Sequence, residues 1–221
     1  MPLQFNQTRI GKRVMPMKQK KKWEIGMAIL IWLMAFSTAQ AEVFTFVPSD
    51  NDIFDLDHAY AYRWTINWFV PDGEPIVKAE LSFDDIYNWA VERNDILYLR
   101  LMDTSPSGGT AVASDLRRYT DNQASGDYFN NHGILLTTYT DESDKVPEDW
   151  TYSFSPAQLV TLANYAADGK FYLGFDPDCH YYNKGITFKV ETKAESVPEP
   201  SSLWLIGVGL FGGAVLIRRR I

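Results

Sequence analysis

Tyr60-Ala61-Tyr62-Arg63-Trp64-Thr65-Ile66-Asn67-Trp68 sets Tyr60, Tyr62, Trp64, Ile66 and Trp68 on one side, with Arg63, Thr65 and Asn67 between them. Successive side chains of a strand point to opposite faces, so this stretch reads as a strand with one face in a core. The same period of two recurs outward in both directions. Val77, Ala79, Leu81 and Phe83 alternate with Lys78, Glu80, Ser82 and Asp84, and Leu97, Leu99 and Leu101 with Tyr98 and Arg100. Further segments are residues 43–47, residues 134–139, Trp150/Tyr152/Phe154, Phe171/Leu173/Phe175 and Ile186/Phe188/Val190. Turn residues separate these runs, which predicts an all-β domain: a sandwich or jelly roll of about eight strands rather than a parallel sheet.

A single helix interrupts the pattern. Ser155-Pro156-Ala157-Gln158 fits a capping box with Pro at the first helical position, and Asp168-Gly169 supplies the stop. Leu159, Leu162, Ala163 and Ala166 would form its buried stripe. Residues 84–93 carry a weaker pattern for a second short helix. Residues 103–131, rich in Ser, Gly, Asp and Asn, read as a long mobile excursion.

The 221 residues are 46% hydrophobic and 14% aromatic with one Cys, which excludes both a disordered polar chain and a disulfide-built miniprotein. The formal net charge of −7 is unevenly spread. Residues 1–41 hold seven Lys/Arg and one acid, whereas residues 42–197 hold 11 bases and 26 acids, a net of −15. Such a domain repels phosphate backbones, so no nucleic acid is expected as a partner.

Each end carries an address. Arg9, Lys12, Arg13, Lys18 and the Lys20-Lys21-Lys22 run precede ten apolar residues, 27–36, too few to span about 30 Å of hydrocarbon. Ala39 and Ala41 then fit a signal-peptidase site, so residues 1–41 are read as a secretory signal peptide cut after Ala41, and Met17 as an alternative start. An uncleaved anchor helix would use the same residues and also implies export. At the other end, Val197-Pro198-Glu199-Pro200 precedes fifteen uncharged residues, 203–217, and then Arg218-Arg219-Arg220. The arginines would stay cytoplasmic and leave Pro198, Glu199 and Pro200 outside. Gly209 and Gly213 have the G-x-x-x-G spacing of close helix contact.

Those three parts, in that order, resemble the PEP-CTERM sorting signal of exported bacterial proteins. The resemblance covers about residues 197–221 and implies recognition by a membrane-embedded exosortase, with removal or transfer of the tail. It also implies export by envelope-bearing bacteria that make exopolysaccharide, with delivery to the cell surface or extracellular matrix. A permanent single-span anchor would use the same residues, whereas a lipid-anchor signal would end in its apolar tail. The chain thus divides into the signal (1–41), the β domain (42–192), a linker with the Pro-Glu-Pro motif (193–200) and a C-terminal sorting transmembrane segment with a basic end (201–221).

Acidic clusters mark the strand ends: residues 50–57, Asp84-Asp85, and Asp176 with Asp178. Ca²⁺ takes six to eight oxygens, which aspartates and carbonyls of several loops can supply, although residues 50–61 lack the EF-hand Gly and Glu. Aspartates that cap turns and keep the domain soluble account for the same clusters. Two of the clusters also carry histidine. Asp55, Asp57 and His58, with Asp176, Asp178 and His180, would build a transition-metal site if His58 and His180 met across the sandwich. Cys179 has no intrachain partner and is expected to be buried.

Tyr60, Tyr62, Tyr87, Trp89, Tyr181 and Tyr182 offer flat apolar faces for pyranose rings, with Asp and Asn for the hydroxyls; a place in the core is the other use of such rings. No G-x-S-x-G, H-E-x-x-H, Walker or dinucleotide pattern occurs, and among 26 acids a carboxylate pair says nothing about glycosidase activity. The reading is therefore a non-catalytic structural or adhesive module associated with exopolysaccharide. Its alternatives are a secreted carbohydrate-active hydrolase and a calcium-stabilised glycan-binding module.

Overall fold

A computed structural model describes residues 41–89, 95–121, 126–142 and 145–193. The expected signal helix and the C-terminal segment with its sorting motif lie outside the described residues, apart from Ala41. Among the described residues the strands are β1 (Ala41–Phe46), β2 (Asp55–Leu56), β3 (Tyr60–Ile66), β4 (Ile76–Asn88), β5 (Leu97–Met102) and β6 (Thr110–Ala111). They continue as β7 (Leu116–Thr120), β8 (Ile134–Tyr139), β9 (Glu148–Ser153), β10 (Phe171–Pro177), β11 (Tyr181–Tyr182) and β12 (Gly185–Lys193), with one α-helix, α1 (Pro156–Tyr165).

Two of these are halves of longer strands. Tyr182 pairs with Tyr87 and Gly185 with Asp84, so β11 and β12 keep one register along β4 and form a single strand interrupted at Asn183-Lys184. β1 and β2 both line the outer edge of that composite strand. The pairing is then nested: β1/β2 with β11/β12, β3 with β10, β4 with β9, and β5 with β8, all antiparallel. Pairing of β12 with β4, and of β10 with β5, joins the nested pairs into two sheets. A long hairpin wound in this way is the connectivity of a jelly roll. Among the described residues the domain is all-β with one short α-helix, and the eight periodic segments supply its eight principal positions.

The inner faces meet as the alternation requires. Trp64, Ile66, Leu99, Leu101 and Phe175 from one sheet pack with Leu81, Phe83, Phe188 and Val190 from the other, all at most 2% exposed. Phe83 meets Phe175 with ring centroids 6.0 Å apart and planes at 79°, an edge-to-face pair that adds about 0.5–1.5 kcal/mol beyond the area it buries. The expected helix forms. Ser155 Oγ accepts from the Gln158 amide, Gln158 Oε1 accepts from the Ser155 amide, and Gly169 stops the chain at φ 87°. Leu162 and Ala166 are buried, Leu159 and Ala163 half-buried. Ser155→Ala is expected to cost about 1 kcal/mol, read as a lower urea midpoint at unchanged slope; no change in midpoint would mean the cap is dispensable.

Two expectations are corrected. Residues 84–88 are not helical: β4 continues to Asn88, passing a bulge at Asp85 (φ 49°) where the register against β9 shifts. The pairing with β9 and β11 and the burial of Ile86 outweigh local propensity there. Nor is the described part of residues 103–131 a free excursion. β7 pairs with β3, β6 pairs with β7, and Phe129 is buried on the outer face of the second sheet with Ala61, Met102 and Tyr119. Phe129 lies over Gly174, where a β-carbon would come within 3.0 Å of its ring. Arg100, on the same outer face, is only 8% exposed because Asp127 accepts from its Nε at 2.5 Å and the His132 carbonyl from its Nη1 at 3.2 Å.

Candidate functional site

His58 and His180 meet. They come from the turn before β3 and the residue just before β11, and their ring centroids lie 6.0 Å apart, near perpendicular. One donor atom each from Asp57, His58 and His180 fall within 4.8 Å of one another, and all three residues are half-buried. Asp55 joins them through a short contact between its Oδ1 and His180 Nε2.

The backbone that carries these side chains is held from below. Tyr62, 1% exposed in the core, donates its hydroxyl to the Asp55 carbonyl (3.1 Å) and accepts from the Asp57 amide (3.0 Å). The Asp57 carboxylate accepts from the Ala59 amide (2.9 Å), and the Asp57 carbonyl accepts from the Tyr60 amide (2.9 Å), closing a tight turn around His58. On the other side the His180 carbonyl accepts from the Trp89 amide at 2.9 Å. The turn residues were legible in the sequence. The clamp by Tyr62 was not, because nothing local shows that an inward ring reaches back to a preceding turn.

The aromatic residues divide by face. Tyr62 and Tyr181 are 1% and 0% exposed, so they are core residues and cannot stack on a sugar. Tyr60 is half-buried, with the Arg118 guanidinium 4.1 Å from its ring centre. Tyr182 stacks on His180 (5.0 Å, 22°) and meets Tyr87, its cross-strand partner, at 5.5 Å. Trp89, at 55% exposure, is the most open of the six. His180, Tyr182 and Tyr87 therefore form a row of rings beside Asp55, the cross-strand partner of Tyr182, while the Trp89 ring lies 5.8 Å from the Lys145 ammonium.

Asp176 and Asp178 do not join that cluster. Asp176 accepts from the Tyr128 amide at 2.6 Å and Asp178 from the Gly126 amide at 3.1 Å, both holding the 126–129 segment onto the second sheet. Asp176 is wholly buried, and burial pushes its carboxyl up to about 8, with Asp121, Asp127 and Asp178 adding to the rise. Burial also raises Asp121. A second acidic group, Asp84, Asp85 and Asp149, gathers at the β4 bulge, where the Lys184 ammonium pairs with Asp85 at 2.5 Å. Cys179 is buried.

An all-β sandwich followed in the sequence by a Pro-Glu-Pro motif, an apolar stretch and terminal arginines has the layout of an exported protein directed to the cell envelope or surface. The C-terminal segment matches the family model of the PEP-CTERM protein-sorting motif over residues 196–220, so the chain carries the motif of exosortase-sorted exported proteins. No curated protein matches the sequence.

Proposed function

We propose that this chain is a cell-surface or matrix protein whose jelly roll is a non-catalytic, adhesive module for exopolysaccharide. The observation that carries the reading is the C-terminal motif, because exosortase sorting commits the domain to an exported life at the envelope. The adjoining rings of Tyr87 and Tyr182 beside Asp55, together with the exposed Trp89 two residues after Tyr87, support it: flat rings suit the apolar faces of sugars, and carboxylates suit their hydroxyls.

The test is cosedimentation of the secreted protein with insoluble exopolysaccharide from the producing cells. Wild type is expected in the pellet, Trp89→Ala with Tyr182→Ala to bind about tenfold more weakly, the equivalent of about 1.4 kcal/mol, and no reducing ends to be released. Absence from the pellet would overturn the adhesive reading. Release of reducing ends that an aspartate-to-asparagine change abolishes would replace it with a hydrolase.

A further inference from the structure

We propose that Asp57, His58 and His180 form a binding site for a divalent first-row cation of the zinc type, with Asp55 as the carboxylate that orients His180. The inference stands apart from the adhesive reading, since it rests on donor geometry rather than on sorting or on rings.

Three facts carry it. Two of the chain's three histidines, 122 positions apart, arrive at one place together with a carboxylate. Imidazole nitrogen with carboxylate oxygen is a zinc donor set, whereas Ca²⁺ prefers oxygen alone. The spacing is close to what such an ion needs. Tetrahedral bonds of about 2.0–2.1 Å put donor atoms roughly 3.3 Å apart, so a pair at the outer limit of 4.8 Å closes by about 1.5 Å.

Side-chain rotation can supply that closure, while the backbone stays fixed. Tyr62 holds Asp55 and Asp57, and Trp89 holds His180. The contact between Asp55 and His180 Nε2 is the carboxylate–histidine pairing that fixes a ring's orientation and raises its basicity as a ligand. All three donor residues are half-buried, so an ion can enter from solvent and lose only part of its hydration on binding. Three protein donors leave a fourth position for water or for a group on a bound molecule.

The experiment is a Zn²⁺ titration of the full-length, chelator-stripped protein in detergent against a chromophoric competitor. One equivalent is expected to bind, and excess Ca²⁺ is expected to leave that binding unchanged. Asp55→Asn should weaken it about 10–100-fold, as loss of a supporting carboxylate does, and His58→Ala with His180→Ala by more than that. Failure of the wild type to bind, or equal affinity in the double variant, would overturn the site. A readout on the unaltered protein covers a variant that does not fold. Zn²⁺ should shield His58 and His180, but not His132, from diethylpyrocarbonate; equal labelling of all three with and without Zn²⁺ would also overturn the proposal.

Discussion

Gly133→Ala is expected to destabilise the domain by about 2–5 kcal/mol, summing about 1–3 for overpacking and about 1–2 for a left-handed backbone. Gly133 stands immediately before β8 at φ 61°. A β-carbon there would lie 2.0 Å from the Leu101 carbonyl oxygen and 2.7 Å from the Met102 α-carbon, both main-chain atoms of β5. Side chains can turn away from an added methyl, but a paired strand cannot, since Leu101 is already bound in register to Ile134 on one side and Leu173 on the other. Gly73→Ala is the control. Its φ of 75° is equally left-handed, yet a β-carbon would meet nothing within 4 Å, so only the backbone cost of about 1–2 kcal/mol remains. Urea unfolding of both variants measures the difference, and equal losses would show that β5 yields where its pairing says it should not.

The sheet positions were legible in the sequence because alternation survives wherever one face is buried and the other wet. Trp64 and Leu81 obey that rule, and their faces came out as read. It fails where both faces are covered. Arg100 and Asp176 look like solvent-facing residues of their strands, yet both are buried because the 126–133 segment lies over them. Nothing in a polar, glycine-rich loop announces Phe129 as an apolar anchor. β11 is similar: two residues with no periodicity of their own become a strand through a register inherited from β12.

The candidate site was half legible for a related reason. An Asp-x-Asp-His run and an Asp-x-Asp-x-His run advertise two donor groups. Only the β2–β11 pairing decides that the first group meets His180 while Asp176 and Asp178 turn away. Tyr182 and Tyr181 show the same limit at one-residue resolution. Adjacent tyrosines on a strand must take opposite faces, but which one is buried depends on register, and register is set by residues far along the chain.

Asp176→Asn is expected to gain up to about 4 kcal/mol of stability over the wild type between pH 4 and pH 7. In the unfolded chain this carboxyl ionises at about 3.9, but burial in the fold raises it to about 8. Between those values the unfolded chain has released a proton that the folded chain keeps, so stability falls as pH rises. Each unit costs about 1.4 kcal/mol, and roughly three units separate 3.9 from neutrality. Stability from this group is therefore complete below about pH 4, declines through the neutral range and declines no further above about pH 8. An asparagine can still accept from the Tyr128 amide through its carbonyl oxygen, but it carries no proton to lose. Asp121, also raised by burial, keeps part of the slope in either protein, so the informative quantity is the difference between the two stability curves. The amide group would replace a buried oxygen that has no hydrogen-bond partner, which offsets the two curves equally at every pH. Their difference should nevertheless widen from about pH 4 to about pH 8; curves that run parallel would show that Asp176 is not the buried acid under the 126–129 segment that its contacts make it. Because the Asp176 and Asp178 side chains are what the segment's amides bind, the pH at which the difference stops growing reports how firmly the outer face of the second sheet stays covered.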